Sequence, residues 1–215
     1  MHHQHRVIVC AALLLGAVAG AGVLAALDAA QAQAPAAVRY RVATDGSEVR
    51  YRVREQLVGL SFPNDAVGVT STVEGTIAFD PQGRLVTEGS RFTVDLRTLR
   101  SDEARRDNYL RRNTLETDRY PTVTFVPTEA RGLPTPLPQS GSVPFELVGD
   151  LTIKDVVRRV TWTATGSFDG PRVSIQARTA FRFGDFGLRV PRVSVVLSVE
   201  DDIKLEADLV LRRGA

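Results

Sequence analysis

The sequence predicts an all-β protein, an antiparallel closed barrel of about eight strands with one short inserted helix. Apolar and polar residues alternate along most of the chain, which is the period of a strand with one buried face. Turn residues separate these segments at short intervals without room for helical crossovers, so the strands form an antiparallel sandwich or a closed barrel. Small residues recur on the apolar face, and they favour a barrel with an open interior.

At least eight segments alternate in this way. In the first, Val49–Arg54, apolar residues alternate strictly with three arginines, so one face is buried and the arginines point into water. The apolar residues of the later segments are Val73, Gly75, Ile77 and Phe79; Phe92, Val94 and Leu96; Val123 and Phe125; Phe145, Leu147, Gly149, Leu151 and Ile153; Val160, Trp162 and Ala164; Val173, Ile175, Ala177, Thr179, Phe181 and Phe183; and Ile203, Leu205, Ala207, Leu209 and Leu211.

One segment, from Ser101 to Asn113, lacks this alternation. It carries acidic residues first and basic residues last, the order that a helix dipole favours, and Ser101 has the side chain of an N-cap. We therefore expect a short helix here that covers one end of the barrel. The proline-rich stretch 133–138 is expected to be the tip of a long hairpin.

Six small residues share the apolar face with bulky ones. Each could mark a sharp bend of a strand, but together they indicate unfilled volume inside the barrel. They are Gly75, Gly149, Ala164, Gly166, Ala177 and Ala207.

The amino terminus has the pattern of an export signal. An uncharged run from Val7 to Leu27 precedes Ala30-Gln31-Ala32, which has the small residues that a signal peptidase needs. We expect residues 1–32 to be a signal peptide and residues 33–215 to be one domain in the periplasm or outside the cell. The alternative is an uncleaved membrane anchor, since the run is long enough to cross a bilayer.

Composition excludes several kinds of chemistry. All three histidines and the only cysteine, Cys10, fall in the first ten residues, so the mature domain has no imidazole or thiol. That removes His- or Cys-based catalysis and metal sites built on His or Cys, and we predict no catalytic residues, no metal and no cofactor other than a bound lipid. A net charge of +2, with dispersed basic residues, gives no reason to expect nucleic acid as a partner.

Several motifs resemble those of the YceI family of extracytoplasmic polyisoprenoid-binding proteins. The most specific are the Arg-Asp…Leu-Arg…Tyr-Pro run in residues 105–121 and the Gly-Asp-Leu-Thr-Ile run in residues 149–155. Weaker matches, in the same order along the chain, are residues 47–53, 74–80, 185–188 and 201–207.

The resemblance implies a lipocalin-like barrel whose apolar interior encloses an isoprenoid tail, such as that of a quinone or a polyprenyl lipid. This chain departs from the family pattern at three positions. Gly46 and Glu55 stand where many members have His-Ser and His, and Phe183 stands where an Arg is common. If those side chains bind a polar head group in the family, the resemblance implies that this chain binds a different head group or binds it differently.

The candidate ligand-binding residues are the inward-facing side chains of the predicted strands. They are Val49, Tyr51, Val53, Glu55, Phe79, Phe92, Phe125, Phe145, Trp162, Ala164, Ala177, Phe181 and Phe183.

Glu55 is unusual in this set because an ionised carboxylate on an apolar face is costly unless it is paired or near water. It is either a hydrogen-bonding group for a ligand or the end of the strand, reaching water at the rim. Arg106 and Asp107 are adjacent on the predicted helix and point in different directions, so we expect each to tie the helix to a neighbouring strand.

The leading hypothesis for function is a carrier for an isoprenoid or another long-chain lipid. One alternative is a fully packed barrel that acts as a stress-related or scaffolding protein through its outer arginines. Another is a lipid enzyme that uses Glu55. The sequence leaves membrane contact and homodimer formation open.

Overall fold

The computed structural model describes residues 37–214, which fold as a β-barrel with one short α-helix within that range, α1 (Ala104–Tyr109). The strands are β1 (Val38–Val42), β2 (Glu48–Leu57), β3 (Asn64–Thr70), β4 (Val73–Phe79), β5 (Leu85–Asp95), β6 (Arg100–Ser101), β7 (Thr122–Arg131), β8 (Ser140–Ile153), β9 (Val156–Asp169), β10 (Arg172–Phe181) and β11 (Val196–Arg213).

The eleven strands occupy eight positions around a closed antiparallel barrel, and we call each of these positions a stave. β1 and β2 lie one after the other along β11, β3 and β4 continue one another in the same way, and the short β6 extends the stave of β5. The barrel closes where β1 pairs with both β4 and β11, so that Tyr40 lies opposite Ile77 and Arg213. The closed barrel predicted from the sequence is confirmed, and the sandwich is excluded.

The first stave is interrupted by a turn between β1 and β2. Gly46 has a φ of +82°, a conformation that residues with a Cβ rarely adopt. The buried Ser47 hydroxyl then accepts a hydrogen bond from the Val210 backbone N–H at 3.0 Å. This bond joins the interrupted stave to β11.

The outer face of β2 carries the predicted arginines. Arg52 contacts Asp65 of β3 at 3.1 Å and Glu206 of β11 at 3.3 Å, and Arg50 contacts Asp208 at 2.8 Å. Strict alternation along this strand therefore separates an ion-paired outer face from an apolar inner face.

The helix is shorter than predicted, and its predicted N-cap is wrong. Glu103 caps α1 by accepting a hydrogen bond from the Arg105 backbone N–H at 3.0 Å. Ser101 instead belongs to β6, where it lies opposite Gly68. After Tyr109 the chain continues through a wide helical turn, Leu110–Thr114.

The loop between β7 and β8, residues 132–139, is the long hairpin tip that the sequence predicted. The predicted signal peptide, residues 1–32, lies outside the described residues. Within residues 37–214, no helix combines the length and the apolar character needed to cross a membrane.

Candidate ligand-binding cavity

The barrel encloses a cavity of about 230 Å³ whose wall is almost wholly apolar. Inward side chains from all eight staves form this wall. Leu99, Leu110 and Leu115 lie at the end that carries α1, and Leu133 and Leu137 of the hairpin tip lie at the opposite end. The barrel is therefore hollow and not filled by its own side chains.

Three alanines on adjacent strands explain much of the free volume. Ala177 of β10 lies directly opposite Ala164 of β9 and Ala207 of β11, so three neighbouring staves present only methyl groups at one level. Gly166 lies one inward position further along β9, and all four residues line the cavity. The expectation that small inner residues leave room is confirmed at the three alanines, whereas a Cβ at Gly166 would lie 3.2 Å from the Phe168 ring.

The same expectation is wrong at Gly75 and Gly149. A Cβ at Gly149 would lie 2.7 Å from the Phe125 ring and 2.3 Å from the Val126 carbonyl oxygen. A Cβ at Gly75 would lie 2.6 Å from a ring carbon of Phe92. The rings of Phe125 and Phe92 occupy the space that a side chain at Gly149 or Gly75 would fill. These two glycines therefore make room for the rings and leave no volume for a ligand.

Twelve of the thirteen candidate residues line the cavity; the exception is Glu55. The twelve are Val49, Tyr51, Val53, Phe79, Phe92, Phe125, Phe145, Trp162, Ala164, Ala177, Phe181 and Phe183. The leucines at both ends were missed, because they lie in loops and turns where no alternation reveals an inward direction.

Glu55 is only 7% exposed, so the interpretation that it reaches water at the rim is wrong. One of its carboxylate oxygens accepts a hydrogen bond from Arg106 Nη2 of α1 at 2.7 Å. Since the carboxylate is already paired by the helix, it is not a free polar group facing the cavity.

Asp107 fastens the other side of α1. It is 7% exposed and accepts hydrogen bonds from the Ser101 backbone N–H at 2.9 Å and from the Ser101 hydroxyl at 2.7 Å. Arg106 therefore ties the helix to β2 and Asp107 ties it to β6, as predicted. We call Glu55, Ser101, Asp102, Arg106 and Asp107 the α1 polar cluster, since Arg106 also pairs with Asp102.

Two polar atoms beside the cavity have no hydrogen-bond partner among the described residues. They are the Tyr51 hydroxyl and the Trp162 Nε1–H, and both are buried. Burial raises the pKa of the Tyr51 phenol, so this group stays protonated and can donate a hydrogen bond. Unsatisfied buried polar groups are rare, and they need an explanation where they occur.

The position of Tyr51 depends on a glycine in the next strand. Gly68 of β3 lies opposite Tyr51, and a Cβ there would approach the tyrosine ring to 2.1 Å. The ring therefore packs over Gly68, at a place where only glycine leaves room. Sequence reasoning could not find this pair because it depends on the register between β2 and β3.

No group of three or more His, Cys, Asp or Glu side chains within residues 37–214 is arranged to hold a metal ion. The cavity surface therefore offers apolar contact, and the two unpartnered donors are buried in the wall that surrounds it.

Comparison with known proteins places these features in a family. The model of the YceI-like domain matches residues 40–211. A UPF0312 protein of Pseudomonas putida strain F1 is 28% identical over 176 residues, which covers 78% of this chain and 83% of the relative. A UPF0312 protein of Vibrio cholerae is 25% identical over 171 residues, covering 76% and 85%.

Solved structures share the fold. BcnA of Burkholderia cenocepacia superposes with a TM-score of 0.58 at 18% identity, covering 79% of this chain and 98% of its own. A polyisoprenoid binding domain from Saccharophagus degradans, implicated in plant cell wall breakdown, superposes with a TM-score of 0.60 at 11% identity, covering 81% and 98%.

Proposed function

The chain belongs to the YceI-like family, and we propose that it is an extracytoplasmic carrier that holds an isoprenoid or similar long-chain lipid in its barrel. The hollow apolar cavity is the observation that carries this proposal. It suits a flexible hydrocarbon chain better than a polar metabolite, which would lose its hydration without gaining enough hydrogen bonds.

Simple energetics support a lipid of this kind. Burying one CH₂ group contributes about 0.8 kcal/mol, so an isoprene unit of five carbons contributes roughly 3–4 kcal/mol. Three to four enclosed units contribute about 12 kcal/mol, which leaves about 8 kcal/mol after an association cost of about 4 kcal/mol and corresponds to micromolar affinity. Apolar burial alone is therefore sufficient for retention.

The two unpartnered donors favour a lipid that also carries oxygen. A quinone carbonyl or a polyprenol hydroxyl could accept a hydrogen bond from Tyr51 or Trp162, whereas a pure hydrocarbon would leave both donors unsatisfied. This supports a quinone or polyprenyl type of ligand over an unsubstituted chain.

An extracytoplasmic location is part of the proposal and rests on the export-signal pattern of residues 1–32. Such a carrier would meet its cargo at a membrane surface in the periplasm or outside the cell.

The alternatives have less support. Family membership points to a binding protein, and Glu55, the residue on which the enzyme hypothesis depended, is paired with Arg106 and does not line the cavity. A scaffold with a fully packed interior does not agree with a cavity bordered by three facing alanines.

The test is to close the cavity from within. In Ala177→Phe, a ring occupies the level at which Ala164, Ala177 and Ala207 meet, and we expect the co-purifying lipid to be lost. Protein from its own host would be examined by native mass spectrometry and organic extraction. Gln176→Phe, on the adjacent outward-facing position of β10, is the matched control and should retain the lipid.

A wild-type barrel that is reproducibly empty, and that takes up neither quinones nor polyprenols, would contradict the proposal. Equal lipid content in Ala177→Phe and Gln176→Phe would contradict it as well, because the cavity would then not be the binding site.

A further inference from the structure

Exposed apolar side chains are concentrated at one place on the surface. Among the described residues, six large hydrophobic side chains are exposed, and five of them lie in the β2–β3 loop or at the start of β11. Phe62 is 80% exposed and Leu197 is 66% exposed. The five, which we call the apolar rim, are Val58, Leu60, Phe62, Val195 and Leu197.

The apolar rim is one surface, because its two segments are paired. The Val58 backbone N–H donates to the Val195 carbonyl oxygen at 3.0 Å, and Leu57 lies opposite Val196. The ladder between β2 and β11 thus continues past the barrel wall. Scattered single hydrophobic residues are ordinary on protein surfaces, but a contiguous group of this kind marks a docking site.

The apolar rim adjoins the end of the barrel that carries α1. Along β11 the chain passes from Leu197 through Val199, which packs on the core, to Ile203, which lines the cavity. Leu188, which also lines the cavity, begins the loop that leads to Val195. Glu200, Asp201 and Asp202 lie between Val199 and Ile203 in the chain, so the apolar rim is close to the end of the lumen and is separated from it along β11 by three carboxylates.

The two segments that form the apolar rim carry basic residues and no acidic ones. Residues 56–63 carry no charge, and residues 189–198 carry only Arg189 and Arg192, both exposed. The flanking carboxylates, Glu55, Asp65, Glu200, Asp201 and Asp202, lie on β2, β3 and β11, and Glu116 lies near Arg189. Exposed apolar side chains on segments whose only charged side chains are arginines match the interface of a bilayer with anionic lipids, where apolar groups enter the acyl region and arginines meet phosphates.

We propose that the apolar rim docks this protein on the surface of a bilayer that contains anionic lipids. The docking proposal depends only on the apolar rim. The purpose of docking would be transfer of a lipid between the bilayer and the lumen, and this part rests on the proposed function. Docking in this orientation brings the α1 end of the barrel close to the membrane.

The test places a reporter in the rim of the full chain. Phe62→Trp adds a second tryptophan to Trp162, and the response of Trp162 itself to vesicles is measured in the wild type and subtracted. With anionic phosphatidylglycerol vesicles, the added emission should shift to shorter wavelength and be quenched by brominated lipids. Gln139→Trp, at an exposed position of the β7–β8 hairpin tip at the opposite end of the barrel, is the matched control and should show neither change.

Two further variants examine the chemistry of docking. Replacing both Arg189 and Arg192 by Gln should weaken the response to anionic vesicles about tenfold or more and leave the weak response to phosphatidylcholine vesicles unchanged. Phe62→Ser with Leu197→Ser should leave lipid loading from detergent micelles intact, while Ala177→Phe should lose loading but still dock. Docking and lumen binding can thus fail separately.

Two results would overturn the proposal. One is an emission from Phe62→Trp that does not respond to vesicles of either composition. The other is a dimer in sedimentation velocity that Phe62→Ser dissociates, because the rim would then be covered by a second copy of the chain.

Discussion

Two buried regions lie next to each other on β2, and they differ in whether their polar groups have hydrogen-bond partners. Tyr51 and Glu55 are both on the inner face, four residues apart. At Tyr51 the wall faces an apolar cavity, and the hydroxyl has no partner. At Glu55 the wall faces α1, and the carboxylate is paired with Arg106 at 2.7 Å.

The difference shows how a single strand can serve both stability and binding. The α1 polar cluster satisfies its charges internally, so it fastens the helix to β2 and β6 and offers nothing to a ligand. The cavity wall leaves volume and two donors unsatisfied, at a cost to the free protein that a bound ligand can remove. The following predictions sharpen this comparison, from the largest expected effect to the smallest.

Breaking the α1 polar cluster should have the largest effect. Arg106→Ala leaves Glu55 buried without its partner, and we expect the free energy of unfolding to fall by about 3 kcal/mol or more. Urea denaturation followed by circular dichroism would measure this change.

The matched control for that variant is Arg97→Ala, which removes an exposed arginine that pairs with Asp95 and should change the midpoint little. If Glu55→Leu combined with Arg106→Met is as unstable as Arg106→Ala, the loss does not come from an unpaired buried charge, and the interpretation is wrong.

A side chain added beside the cavity should have an intermediate effect. In Gly68→Ala the new Cβ collides with the Tyr51 ring, and we expect a loss of about 1–3 kcal/mol in unfolding free energy. Tyr51→Ala in the same chain removes the collision, so the double variant should be more stable than the sum of the two single changes predicts. Strict additivity in thermal or urea unfolding would show that the ring does not lie on Gly68.

Removing the unpartnered hydroxyl should have a smaller effect, of opposite sign to that of Arg106→Ala. Tyr51→Phe deletes a buried group without a partner, so the free protein should be unchanged or more stable by up to about 1 kcal/mol. Affinity for a quinone should fall about tenfold, and affinity for a hydrocarbon such as squalene should not change. Tryptophan quenching titrations would compare the two ligands, and equal losses for both would argue against a hydrogen bond from Tyr51.

Removing an ion pair on the outer face of β2 should have the smallest effect on stability. That effect should depend on pH, because the paired carboxylates have lowered pKa values. The hydrogen bond from Arg52 lowers the pKa of Asp65. For Glu206, partial burial acts in the opposite direction, but Arg52 and Arg50 together lower its pKa as well.

A carboxylate whose pKa is lower in the folded state stabilises the fold above its unfolded pKa of about 4. That stabilisation is lost as the pH falls through the folded pKa. Arg52→Gln should therefore destabilise the protein slightly at pH 6, and its difference from the wild type should shrink at pH 3. A constant difference in denaturation midpoint at the two pH values would contradict the assignment.

Most of the fold could be predicted from alternation, and so could most of the cavity wall. The period of two assigned most residues of eight strands to a face, whereas β1, β3 and β6 were not predicted. Closure of the barrel then brings inward residues such as Phe79 and Trp162 to one lumen. The loop and helix residues that close the two ends have no such period, so Leu99 and Leu137 were not predicted.

The pairing of Glu55 was missed for a different reason. Alternation placed its side chain on the inner face, but its partner Arg106 lies 51 residues later on a helix. No local pattern specifies how that helix docks. The filled spaces at Gly75 and Gly149 were missed because a glycine alone does not say which neighbouring ring, Phe92 or Phe125, will lie over it.

The amino-acid sequence by itself therefore determined eight of the eleven strands, their two faces and the lack of His and Cys chemistry in residues 37–214, since these follow from residue type and from neighbours one or two positions away. Only the tertiary structure decided which inward positions are empty, which polar groups are paired and where apolar side chains remain exposed. Those properties arise from contacts between residues far apart in the chain, and strand register and helix docking set them.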